Sequence, residues 1–504
     1  MSNDAVQSSS SSSLSSAVTG TGRTSSNSSL LPKKQNNGAL SPELRGFDAQ
    51  HPPNPEHIDA CVHCGFCLVT CPSYRVLGTE MDSPRGRIYL MDGIQTEQIP
   101  LNTTTTQHFD TCLGCLACTT ACPSGVPYDQ LISSMRPQIE RNQPRTMGDR
   151  LFRQLIFSLF PYPNRLRWLL VPLFLYQKLG VQAWIRSTPL LKRASPRLAA
   201  MESILPEVTM ASFTAGARAV KQRVEAQKQP DITPEPSTEQ TLQSNVTIIP
   251  AQGQRRHRVG MLLGCVQQLF FSDVNAATAR VLTANGCEVI IPNNQGCCAA
   301  LPHHQGQETQ AQDLARQMID QFEGTNVDAI IINAAGCGHT LKEYDHILQD
   351  DDAYREKAIA FSSQVKDVQE FLASIELTAS FHPLQKEPLI VVYQDACHLL
   401  HGQKISVQPR QLLKRIPNVQ LKEPLDAALC CGSAGVYNML QPEVAEELGQ
   451  QKAQNLFNTG ASVIASPNPG CSLQIQKHLQ AQGQQVSLFH PIELLDRSIR
   501  GIKL

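Results

Sequence analysis

Aromatic side chains are scarce, 5% of 504 residues with two tryptophans, and nothing in the sequence resembles a stacking platform for bases. Charge of one sign is also missing. The 43 Lys and Arg against 44 Asp and Glu leave a formal net charge of −1, which argues against a nucleic-acid binder. No uninterrupted apolar run reaches the roughly 18 residues of a transmembrane helix. No apolar stretch follows a charged start, so no secretory signal is expected. No G-x-G-x-x-G follows a strand pattern, and no nucleophile stands beside a candidate base, so catalytic residues for a substrate are not expected in this chain.

Cysteine is what the sequence has in excess, with 17 residues. Cys61, Cys64, Cys67 and Cys71, followed by Pro72, form C-x2-C-x2-C-x3-C-P, and Cys112, Cys115, Cys118 and Cys122, followed by Pro123, repeat it. Two copies of this spacing are the bacterial ferredoxin pattern for a pair of [4Fe–4S] clusters, in which the fourth cysteine of each run ligates the other cluster. The expected ligand sets are therefore crossed: Cys61, Cys64, Cys67 and Cys122 for one cluster, and Cys112, Cys115, Cys118 and Cys71 for the other. Zinc ribbons use separated C-x2-C pairs around one ion, and disulfides would crowd a single turn, so neither fits the spacing.

The chain divides by composition. Residues 1–46 form a Ser-rich tail, including Ser8 to Ser13, with too few apolar residues to offset the entropy of ordering. It reads as a floppy extension, with an organelle transit peptide left open. Residues 47–145 hold the cysteine runs. Between them, Asp82 or Ser83 caps a helix that has Pro84 at its first position, which brings Arg85 and Arg87 close to the clusters as charge balance. Thr103 to Thr106 read as loop. Residues 146–225 form a helical, apolar connecting region. Its stretch Leu151 to Ile185 is interrupted by Pro161, Pro163 and Pro172 and edged by Arg153, Arg165 and Arg167, and it suits short amphipathic helices that lie on a membrane or pack on protein. Residues 226–257 read as a polar linker.

The remainder repeats itself, as 258–375 and 376–504. Cys265 and Cys397 are 132 residues apart, Cys297 and Cys430 133, and Cys337 and Cys471 134. Cys298 and Cys431 complete each Cys-Cys pair. Short apolar strands, such as Val259 to Leu263 and Leu389 to Val392, alternate with helical stretches, which predicts parallel α/β sheets with the cysteines at strand C-termini. His303, His304, His339, His398 and His401 lie near these cysteines as candidate ligands or proton carriers, with a structural hydrogen-bonding role the simpler expectation. The expected fold is thus multidomain, α+β and α/β: an α-helical ferredoxin-like two-cluster domain, then a duplicated α/β cysteine-rich module.

From about residue 50 onward the chain resembles the iron–sulfur subunit of bacterial glycolate oxidase (glycolate dehydrogenase). The resemblance is carried by Cys61 to Cys67, Asp82 to Tyr89, Cys397 to Gln403 and Cys430 to Gly435. The repeats resemble the "CCG" modules of heterodisulfide reductases and of the third subunit of anaerobic glycerol-3-phosphate dehydrogenase. Two departures stand out: the first unit reads Cys297-Cys298-Ala299, and Thr340 and Gln474 replace a later cysteine in each unit. A third cluster, zinc or no metal in the modules is left open. The resemblance implies an oxidoreductase complex in which a partner FAD subunit oxidises glycolate to glyoxylate, while this chain relays electrons through two [4Fe–4S] clusters to a quinone-type or other acceptor. The expected setting is cytoplasmic, with peripheral contact to the inner face of a membrane. D-lactate or glycerol 3-phosphate oxidation, or a heterodisulfide-reductase-like activity, are the rival readings. An iron–sulfur redox sensor would require a nucleic-acid-binding element, and none is visible.

Overall fold

The computed structural model describes residues 46–188, 191, 193, 195–226 and 245–504. All but the last residue of the expected tail, and most of the expected linker, lie outside these ranges.

Helices brace the two cysteine loops. The helix Pro84–Gln95 begins as its sequence predicts: the Ser83 hydroxyl accepts from Gly86 N, and Pro84 occupies the first turn, where its missing N–H costs nothing. Its face bearing Ile88, Met91 and Ile94 is buried with Leu131, Ile132 and Met135 of the helix Tyr128–Asn142. The threonine run expected as loop is instead the start of a helix, Thr103–Asp110. The Asn102 side chain accepts from the backbone N–H of Thr104 and Thr105, and the Thr105 hydroxyl accepts from Asn102 N. This capping box and the burial of Phe109 outweigh the weak helix propensity of threonine.

The connecting region forms Met147–Leu159, Pro163–Lys178, Val181–Arg186 and Pro196–Ser203. Ile156 and Phe157 share a small core with Val436, Met439 and Leu440, while Leu166 and Leu170 pack with Val208 and Leu269. One face of these helices is therefore seated on the α/β body. Among the described residues no helix is long and apolar enough to cross a membrane.

The α/β body holds two sheets. The first comprises β1 (Val246–Ile249), β2 (His257–Met261), β3 (Cys287–Pro292), β4 (Ala329–Ile332) and β5 (Val365–Asp367), in the order β1-β3-β2-β4-β5. The second comprises β6 (Leu389–Tyr393), β7 (Val419–Lys422), β8 (Val463–Ala465) and β9 (Ser487–Phe489), in the order β7-β6-β8-β9. Removing β1 leaves identical orders, all parallel, as the repeat predicts. β1 corrects the linker reading, because the short apolar run Val246-Thr247-Ile248-Ile249 pairs antiparallel with β3 and caps that edge. The halves share one core, in which Val259, Val289 and Ile331 are grouped with Val391, Val463 and Ile492. Arg280 of the first half donates twice to the Asp496 carboxylate of the second, at 2.8 and 2.7 Å.

Candidate metal centres

Cys61, Cys64, Cys67 and Cys122 line one recess of about 410 Å³, together with Cys118 and Arg85. The loop turns through left-handed backbone at His63 and Gly65, and a Cβ on Gly65 would lie 2.8 Å from the Arg85 guanidinium. The left-handed backbone at φ +84° favours glycine there. Arg85 donates to His63 O at 3.0 Å and pairs with Glu80. Burial raises the Cys61 and Cys67 thiols; the Cys61 thiol also feels the charges of Cys122 and Cys64, and the Cys67 thiol those of Cys61 and Cys71.

Cys112, Cys115, Cys118 and Cys71 are all buried, and Cys118 feels the charges of Cys115, Cys112 and Cys71. Burial pushes the Cys115 and Cys118 thiols well up. Cys112 goes the other way: burial opposes its ionisation, but the guanidinium groups of Arg87 and Arg136 prevail and lower it. Arg87 is 1% exposed and donates to His108 O, Ser73 Oγ and Thr111 Oγ1. Arg136 donates to Cys112 O at 2.8 Å, and the Tyr128 hydroxyl lies 3.7 Å from Cys112 Sγ. Arg136 and Tyr128 carry no local motif, and only their position on the helix after the second run hinted at them.

Among the described residues no three Cys, His, Asp or Glu side chains converge as ligands of a single ion. Four thiols spread around a recess suit a cubane, which takes one thiolate at each of four irons, better than a tetrahedral zinc site. The sulfur-only donors and the neighbouring arginines fit [4Fe–4S] chemistry.

Each α/β half gathers its own cysteines at strand C-termini. Cys265 Sγ lies 3.6 Å from Cys297 Sγ, and Cys297 and Cys337 both influence the ionisation of the Cys298 thiol. In the second half the ionisation of Cys430 is influenced by Cys397 and Cys431, and that of Cys431 by Cys430 and Cys471. Cys265 follows β2 and Cys337 follows β4, on either side of the point where the strand order reverses, which is where open α/β sheets place ligands. The remaining cysteine, Cys287, is a buried residue of β3.

The second half sits against the second ferredoxin loop. His398 Nε2 donates to Gly114 O at 2.9 Å, the Tyr437 hydroxyl donates to Thr111 O at 3.0 Å, and Cys115 feels the charge of Cys397. Leu113, Cys115 and Ala117 share a core with Leu429, Cys430 and Tyr437. Of the five candidate histidines, His303, His304, His339 and His398 form one nest, with the His304–His398 and His339–His398 ring centres both 4.9 Å apart. Burial holds His303 down to about 3 and raises the neighbouring Glu343 to about 8. His401 lies apart and hydrogen-bonds to Thr120.

Comparison with known proteins matches this arrangement. Residues 57–126 match the 4Fe-4S dicluster domain, 148–205 the linker region of the glycolate oxidase iron–sulfur subunit, and 259–342 and 391–476 the cysteine-rich domain. The probable glycolate oxidase iron–sulfur subunit of Bacillus subtilis (strain 168) is 36% identical over 442 residues, covering 86% of this chain and 92% of that protein. The chain belongs to the glycolate oxidase iron–sulfur subunit family. The Escherichia coli (strain K12) glycolate oxidase iron–sulfur subunit is 31% identical over 448 residues, covering 87% of this chain and 94% of its own length. Lactate utilization protein A of Oceanobacillus iheyensis is 26% identical over 248 residues, 48% of this chain and 98% of that protein. The family's dicluster and cysteine-rich matches thus fall on the two kinds of thiol group described above.

Proposed function

We propose that this chain is the electron-transfer subunit of a flavin-dependent glycolate-oxidising complex. It would accept electrons from an FAD-containing partner and deliver them to a quinone-type acceptor, with the complex held peripherally at the cytoplasmic face of a membrane. The observation that carries this is the pairing of a family match over 86% of the chain with two arginine-flanked thiol groups, one half-buried and one buried.

Cys61, Cys64, Cys67 and Cys122 hold one [4Fe–4S] centre in this reading, and Cys112, Cys115, Cys118 and Cys71 hold the other. When bound, each centre supplies a one-electron couple whose ligand shell stays intact. Arg85, Arg87 and Arg136 offset the negative charge of the thiolates. Ile88, Val126 and Ile132 form an apolar backing on the inner side of the loops, while Cys64 of the first loop is exposed. The contact of Cys115 with the Cys397 and Cys430 group makes the second module the favoured exit side.

Glycolate-dependent bleaching of cluster absorbance in the chain co-purified with its flavoprotein tests the reading. Bleaching by D-lactate and not by glycolate would move the substrate to the second reading, which the lactate-utilisation relative favours. Replacing Cys71 with serine should damage the Cys112–Cys118 centre and spare the other. Spectra losing only the Cys61–Cys67 centre would refute the crossed ligation.

A further inference from the structure

The connecting helices leave a surface that the electron-transfer reading does not use. Ten of the large apolar side chains exposed in the structure fall between Met147 and Trp184. Trp168, Val171, Leu175 and Leu179, spaced by three and four residues, form one stripe on and just beyond Pro163–Lys178, opposite the seated Leu166 and Leu170. Met147, Leu151 and Leu155 form a second stripe on the preceding helix. Both tryptophans of the chain belong to this surface, Trp168 at 83% exposure and Trp184 at 59%.

The charge is one-sided. From residue 150 to 201 the sequence holds nine Lys and Arg and no Asp or Glu, and three of the nine, Arg153, Arg186 and Arg197, pair with the flanking Asp149 or Glu202. Arg150, Arg165, Lys178 and Arg193 are exposed, and none of them pairs with a carboxylate among the described residues. A neutral chain that concentrates unpaired cations around exposed Trp, Leu and Val matches the layering of an anionic bilayer surface. There the indoles and aliphatic groups enter the headgroup boundary while the cations meet lipid phosphates. A protein partner accounts for the apolar stripes but does not call for exposed cations left without a carboxylate partner beside them.

We infer that the exposed faces of Met147–Leu159, Pro163–Lys178 and Val181–Arg186 dock on an anionic phospholipid surface. The inference rests on the proposed peripheral placement and names its surface and lipid class. It does not depend on electron transfer.

The two tryptophans make the test direct. The purified iron-loaded chain is mixed with vesicles of phosphatidylcholine, with or without phosphatidylglycerol, and its sedimentation and tryptophan emission are recorded. The expected result is co-sedimentation and a blue-shifted emission with the phosphatidylglycerol vesicles, both reversed by high salt. Trp168→Ser with Leu179→Ser, and separately Arg165→Glu with Lys178→Glu, should each weaken partitioning by about tenfold or more. Circular dichroism should be unchanged, because all four side chains are exposed. Sedimentation with unshifted emission and no effect of either double variant would overturn the surface while leaving the peripheral placement intact. Absence of any vesicle binding would overturn the placement itself. An emission shift produced by the flavoprotein partner and not by vesicles would reassign the surface to that subunit.

Discussion

The two α/β halves keep the same strand order, the same placement of four thiols and the same final capped helix, yet they meet the rest of the molecule differently. The second half presses its thiol group against the Cys112–Cys118 loop through His398, Tyr437 and Leu429. The first contributes His303, His304, His339 and Glu343 to the nest beside that loop. A second difference lies at the paired cysteines. Gly432 has φ +82°, and a Cβ there would stand 2.7 Å from Ala445 O. The matching Ala299 holds the same left-handed turn at φ +64° with its methyl group buried. The duplicated core and the turn geometry have been kept, while side-chain tolerance and external contacts have diverged.

Breaking the ion pair that joins the halves beside their shared core should have the largest effect. Arg280→Ala leaves the buried Asp496 carboxylate without its bidentate partner and should cost about 3 kcal/mol, read by urea unfolding. Two separate transitions in that variant would show the halves to be independently stable. Gly432→Ala should cost about 2 kcal/mol or more, since both the left-handed backbone and the Ala445 carbonyl oppose it. Ala299→Gly should fall within about 1 kcal/mol of the wild type, because relief of the left-handed strain offsets the lost backbone restriction. Equal losses in this pair would abolish the distinction between the two turns. Tyr437→Phe, which removes the donor to Thr111 O, should cost about 1 kcal/mol.

A further expected effect concerns pH. β5 ends at Asp367 and β9 is followed by His490, and each residue caps the last helix of its half with a capping box. Burial raises the Asp367 carboxyl from 3.8 to about 6 and lowers the His490 imidazole from 6.5 to about 4. Both are thus favoured in their neutral forms. The Asp367 contribution is fully present below pH 3.8 and is lost as pH rises through about 6. The His490 contribution is fully present above pH 6.5 and is lost as pH falls through about 4. Stability–pH profiles of Asp367→Asn and His490→Asn should therefore change slope with opposite sign between these limits. The same sign in both would contradict the comparison.

Much of this organisation is legible in residue order because it is local. Ser83-Pro84 announces its helix, and the runs around Val259, Val289, Ile331 and Val391 are continuous and apolar because parallel strands are covered on both faces. The evenly offset cysteines reveal the duplication. What residue order hides is decided by partners distant in sequence. Thr103–Asp110 is a helix because Asn102 caps it and Phe109 finds a core, and β1 exists because β3 offers it an edge. Arg136 acts on Cys112 from 24 residues away, and the histidine nest draws on both halves. His401 shares a short stretch with His398 yet is directed instead to Thr120, which its spacing alone does not decide.

In the proposed reading eight thiolates in two crossed sets hold two [4Fe–4S] centres, the Cys112–Cys118 loop lying against the second module. Iron and acid-labile sulfide in the anaerobically purified chain test it most directly. At least about eight of each per chain are predicted, with any excess belonging to the module cysteines, whereas about four or fewer would contradict the account.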